Sequence, residues 1–96
     1  MIIFPNEILL VGQWNLRDGR IYTDEVCKRI ENLIRTHLIK ISDDASGWNV
    51  LYIDPVDDRL WELTYPENYI QGGGPPKLSY IPLDDAIDKY GVDIQS

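Results

Sequence analysis

The sequence predicts an α+β fold: a long amphipathic helix packed on a small antiparallel sheet, with a short C-terminal helix. Three observations carry this. Val26, Cys27, Ile30, Leu33, Ile34, Leu38 and Ile41 fall on one stripe at helical spacing. Two runs rich in β-branched and aromatic residues, Asn49 to Asp54 and Leu60 to Tyr65, flank the turn-forming stretch Pro55-Val56-Asp57-Asp58-Arg59. Leu83, Ala86, Ile87 and Tyr90 repeat the helical spacing just ahead of Gly91, a residue suited to ending a helix.

From the N-terminus, Ile8 to Trp14 is an apolar run of strand length, and Arg17-Asp18-Gly19-Arg20 reads as a turn into Ile21-Tyr22, which together suggest a hairpin. The apolar stripe predicts a helix from about Asp24 to Ile41. Thr23 or Asp24 can accept from its first free amides, and Asp24 and Glu25 suit the positive end of its dipole. Glu25 with Arg29, and Glu31 with Arg35, stand four apart in the favourable order on the solvated side. In the second hairpin, placing Ile53 opposite Trp61 sets Leu51 opposite Leu63. These four side chains then share the face that meets the helix, while Tyr52 beside Glu62 and Val50 beside Thr64 take the other, open face. Lys77 to Ile81 supplies a third strand with Leu78 and Tyr80 inward.

Ninety-six residues suit one domain, 1–96, able to bury roughly 60 to 70% of its unfolded surface. Neither Met1 to Phe4 nor Ile8 to Val11 approaches the ~20 residues of a membrane span. No basic segment precedes a signal-type core, so the expected location is cytoplasmic. The lone Cys27 cannot form an internal bridge, in keeping with a reducing compartment. The formal charge of −7 is unevenly placed: residues 1–42 hold five acids and six bases, residues 43–96 eleven acids and three bases, so +1 and −8. Such a field repels nucleic acid and anionic membranes and attracts basic partners, while also serving solubility.

Residues 47–76 contain no histidine or cysteine and read as a binding surface, not a catalytic centre. Asp54, Asp57 and Asp58 crowd the turn, and hard cations take several carboxylate oxygens. The spacing, however, lacks the central glycine and distant glutamate of a calcium loop, and Arg59 can neutralise one acid. Adding Glu62 gives the alternative of a small metal-assisted hydrolase; nothing in the pattern demands a cofactor. His37 lies on the border of the helical stripe, where a packed imidazole is expected, and Cys27 reads as a small core residue. Gly72-Gly73-Gly74 permits a sharp turn and Pro75-Pro76 a stiff exit, but no Gly-Lys-Ser/Thr follows to cradle phosphate. Trp48, ahead of its strand, can stay partly exposed and anchor an interface, whereas Trp61 points inward.

Gly12-x-Trp14, Asp24-Glu25, Arg29-Ile30, Gly47-Trp48, Leu51-Tyr52, Asp54-Pro55, Asp57-x-Arg59, Trp61-Glu62-Leu63, Tyr65-Pro66 and Gly72-Gly73-Gly74-Pro75-Pro76 follow one another over most of the chain. In this order the chain resembles the bacterial polymorphic-toxin immunity proteins, specifically the family numbered twenty-seven. In similar sequences the turn often reads Asp-Gly-Arg and a histidine commonly precedes the glycine triplet; here Asp58 and Gln71 take those places. The resemblance implies a non-enzymatic α+β protein, made beside a toxin gene, that binds the toxin domain and protects the producing cell. Combined with the acidity, it suggests a basic partner such as a nuclease. The candidate docking residues are Trp48, Tyr52, Asp54, Asp57, Asp58, Glu62, Gly72, Gly73 and Gly74. Besides the hydrolase, a homo-oligomeric adaptor joined through an exposed strand edge is the remaining alternative.

Overall fold

A computed structural model describes residues 2–70 and 72–92. In chain order the elements are β1 (Leu9–Val11), β2 (Trp14–Arg17), β3 (Arg20–Thr23), α1 (Glu25–Thr36), β4 (Ile39–Asp43), β5 (Val50–Ile53), β6 (Leu60–Thr64), β7 (Lys77–Tyr80) and α2 (Leu83–Tyr90). Five strands form one antiparallel sheet in the order β1-β7-β6-β5-β4, and β2 pairs only with β3. The architecture is α+β as expected, with two helices and a larger sheet than the three strands foreseen.

The expected first strand is broken at Gly12. A Cβ there would lie 2.5 Å from Cys27 Sγ and 2.9 Å from the Pro76 carbonyl oxygen, so only glycine lets the chain run this close to α1 and β7. Beyond it, β2 and β3 leave the main sheet as a hairpin. Its two-residue turn, Asp18-Gly19, has positive φ at both positions, 52° and 76°, the geometry that matches the twist of the flanking strands.

Asp24 caps α1, its carboxylate accepting from the Cys27 amide at 2.8 Å. The helix stops at Thr36, well short of Ile41. Leu38 and Ile41 satisfy helical spacing, but Ile39-Lys40-Ile41 also alternates as a strand, and pairing with β5 decides the outcome. His37 closes the helix, its amide donating to the Leu33 carbonyl at 3.0 Å. Ile41 sits in a bulge between Lys40 and Ser42, and Leu38 is buried. The foreseen helix pairs also differ. Glu25 meets Lys28 at 3.4 Å, while Arg29 turns away to Glu7.

The β5–β6 register is shifted by one residue from the expected one. Val50 lies opposite Leu63, Leu51 opposite Glu62, Tyr52 opposite Trp61 and Ile53 opposite Leu60. Trp61 and Leu63 do face α1, joined there by Tyr52, Leu78, Leu10 and the helix residues Ile30 and Leu33. Leu51 and Ile53 face the other way and pack with Leu60, Ile81 and Ala86 of α2. The face foreseen as open is therefore covered by the second helix. Tyr80 shares the α1 side by register, stacking edge-on with Trp61 at 6.4 Å, but remains exposed at its end of the strand. Gly91 ends α2 in the left-handed conformation, its amide donating to Ile87 at 2.8 Å.

Two arginines tie the N-terminal segment to this frame. Arg29 donates to both carboxylate oxygens of Glu7 at 2.6 and 2.7 Å and to the Ile2 carbonyl at 3.0 Å. Arg59 donates to the carbonyls of Glu7 at 2.7 Å and Phe4 at 3.2 Å while lying over the Trp61 ring.

Candidate functional site

The turn joining β5 to β6 uses its acids internally. Asp54 is only 1% exposed. Its Oδ1 accepts from the Val56 amide at 2.9 Å and sits 2.9 Å from His37 Nε2, so it fastens the turn to the end of α1. His37 is thus the packed imidazole that the stripe suggested, with Asp54 as its partner. Asp57 accepts from the amide of Arg59 at 3.1 Å and from its Nε at 2.6 Å. Burial pushes the Asp57 carboxyl up, but these bonds and the Arg59 charge outweigh it and hold the group below the usual range. Asp58 is exposed, and its amide donates to the Asp54 carbonyl at 2.8 Å. Its φ is 62°, the left-handed region that favours glycine. A glycine would take up that geometry without strain.

Glu62 points to the α2 side and its side chain is only 12% exposed. It accepts from Tyr90 Oη at 2.8 Å and pairs with Lys89 Nζ at 2.5 Å. Burial, and then Glu62, push the Tyr90 phenol upward. Of the four carboxylates offered for a metal-assisted hydrolase, three therefore diverge: Asp54 toward His37, Asp57 toward Arg59, Glu62 toward α2. Among the described residues no group of three or more His, Cys, Asp or Glu side chains could hold a metal ion.

Trp48 and the glycine triplet lie at the opposite end of the β5–β6 hairpin, about 13 Å away along a four-residue strand. Trp48 is 43% exposed. It meets Tyr65 edge-on at 5.8 Å. A Cβ on Gly73 would stand 3.3 Å from the Trp48 ring, and one on Gly72 3.2 Å from the Trp14 ring; both glycines have φ of 90°. Gly74 is buried, and a Cβ there would stand 2.6 Å from the Glu67 carbonyl oxygen. The triplet thus lets two indoles lie against bare backbone. Gln71, just before it, lies outside the described residues. Tyr52, expected on an open face, is buried in the α1 core. Of the nine candidates, Trp48, Asp57, Asp58, Gly72 and Gly73 retain accessible surface of consequence, and they divide between the two ends of the hairpin.

Sequence reasoning missed the cleft that the glycine loop helps to form. Hairpin β2–β3, α1 and the loop residues Tyr65, Gly72, Gly74 and Pro76 line about 210 Å³, with Trp14, Thr23, Glu31 and Ile34 around it and the buried Cys27, Ile30 and Leu63 at its base. The missed signal is the hairpin itself. Leu16 is 76% exposed and Ile21 59%, two large apolar side chains opposite one another in a hairpin with no covering layer among the described residues.

No helix of the described residues is long and apolar enough to cross a membrane. No curated protein and no solved structure matches the chain. A family model described as immunity protein 27 matches residues 16–82, from within β2 through β7 to the residue before α2, and so takes in most of the hairpin, α1, the turn and the glycine loop. On that match the chain belongs to the immunity protein 27 family.

Proposed function

We propose that this immunity protein neutralises a cognate toxin domain by docking it without catalysis, and that the docked toxin surface is basic. The observation that carries the second part is the excess of acids: residues 43–96 hold eleven against three bases. Part of that excess is presented at one end of the molecule. Asp58 and Leu83 border the same cavity of about 160 Å³, which brings the exposed turn acids beside the first turn of α2, where Asp84 and Asp85 are also exposed. Carboxylates so arranged speed encounter with a cationic partner and disfavour nucleic acid as a competitor. Trp48 and the bare backbone of Gly72 and Gly73 offer the complementary kind of contact, an aromatic anchor beside a surface a partner can approach closely. The protein acts in the cytoplasm of the producing cell, with no cofactor.

Co-expression with the toxin domain encoded beside it tests the reading. Growth should be rescued and the two chains should co-purify. A toxin that stays lethal in the presence of folded protein, and is not retained by it, overturns the proposal.

A further inference from the structure

The cleft of about 210 Å³ is smaller than the roughly 300–1,000 Å³ of small-molecule sites, so a single side chain suits it better than a substrate. Trp14 and Thr23 form its hairpin wall, Ile34 and Glu31 its helix wall, and Tyr65 and Gly72 its loop wall. Strand alternation puts Leu16 and Ile21 on the same hairpin face as Trp14 and Thr23, extending the apolar wall outward, and sends Arg17 and Arg20 to the opposite face. Glu31 is the only carboxylate among the described lining residues, which include no lysine, arginine or histidine. It is exposed and, although four residues ahead of Arg35, makes no ion pair among the described residues. Its charge reaches the Tyr65 phenol, which burial first and Glu31 second push upward.

An unpaired anion at the mouth of an aromatic cleft matches a cation carried on an apolar stem. We propose that the cleft receives an arginine side chain presented by the protein partner, with its stem and guanidinium plane against Trp14 and Tyr65 and its charge against Glu31. Arginine fits better than lysine because its planar, weakly hydrated head stacks on aromatic faces and still donates to a carboxylate. The identity of the partner as the toxin rests on the immunity reading; the chemistry of the cleft does not.

Tryptophan indole resonances report occupancy. Titrating the isotope-labelled protein with the peptide acetyl-Gly-Arg-Gly-amide should move the Trp14 indole peak saturably and leave the sealed Trp61 peak in place. The same peptide with citrulline, the neutral isostere, should not. Glu31→Gln should weaken the arginyl peptide by about two- to fivefold, the worth of one exposed charge contact. Equal responses to the two peptides, or unchanged affinity in Glu31→Gln, overturn the proposal. With the neighbouring toxin domain as ligand, Glu31→Lys should weaken capture by at least about tenfold. Capture equal to wild type overturns the cleft assignment and leaves immunity standing. A wild-type protein that discriminates the peptides yet ignores the toxin overturns immunity and upholds the cleft.

Discussion

Replacing Glu7 with glutamine removes the anion that holds the N-terminal segment to α1. In the folded protein its oxygens accept from Arg29 Nη2 at 2.6 Å, Arg29 Nη1 at 2.7 Å and the Phe4 amide at 2.9 Å. The Arg29 hydrogen bonds, opposed by burial, bring its carboxyl from the usual 4.5 down to about 2. That gap caps the contribution at roughly 3 kcal/mol, at about 1.4 kcal/mol for each tenfold change in proton affinity. The two side chains are 22% and 23% exposed. Solvent therefore screens the pair, and about 1 to 2 kcal/mol is the expected cost of Glu7→Gln at neutral pH. In a domain of this size that lowers the melting temperature by about 4 to 16 °C. The sign follows from a folded value below the unfolded one. The stabilisation is complete above about pH 5, falls by more than half by pH 3, and disappears below about pH 2. Urea unfolding of wild type and variant at pH 7 and pH 3, followed by tryptophan fluorescence, measures this. Acid also relieves repulsion among the many other carboxylates, but that effect is common to both proteins and cancels in the difference. A gap that stays constant between the two pH values, or is absent at pH 7, refutes the assignment of the Glu7–Arg29 pair as the anchor.

Asp58→Gly should raise stability by about 0.5 to 1 kcal/mol by relieving the positive φ, detectable as a higher urea midpoint with an unchanged slope. Leu63→Ala and Leu51→Ala should each cost about 2 to 5 kcal/mol in chemical denaturation even though they lie on opposite faces, because both are buried, one under each helix. Lysines at Asp58, Asp84 and Asp85 together should leave the far-ultraviolet spectrum intact. Stopped-flow mixing with the toxin at low salt should then show association slowed by roughly 10- to 1,000-fold, with a flatter salt dependence; an unchanged rate would place docking elsewhere. Asp54→Ala should cost about 1 to 3 kcal/mol by thermal melting, because the Val56 amide and the His37 ring lose their shared acceptor.

Elements fixed by neighbouring residues were legible in the sequence. Asp18-Gly19 dictates the first hairpin turn, Asp24 the start of α1, and Gly91 the end of α2. The end of α1 was not, because Leu38 and Ile41 continue the helical spacing while Ile39 and Ile41 also alternate as a strand, and only β5 resolves the choice. The register of β5–β6 was misread for a related reason. With a helix on each side of the sheet, Val50-Leu51-Tyr52-Ile53 is apolar on both faces, and no polar face remains to pin the pairing. The acids of the turn were visible, but not their partners. His37 is seventeen residues from Asp54, and Glu62 is twenty-eight from Tyr90. The cleft joins residues from three separate segments, and its acid, Glu31, resembled an ordinary member of a helical ion pair until Arg35 proved not to meet it.

Cys27 sits where β1, α1 and the loop into β7 converge, with its sulfur in the space that any side chain at position 12 would need. Burial, and then Asp24, push its thiol up, so little thiolate forms even in mildly alkaline solution. A thiol reagent can therefore reach it only in molecules that have opened at this junction. As the sole cysteine of the chain, its modification rate is a ready-made clock for that opening. The hairpin and glycine loop that frame the cleft both leave from this junction, so a bound toxin that grips them should slow the clock.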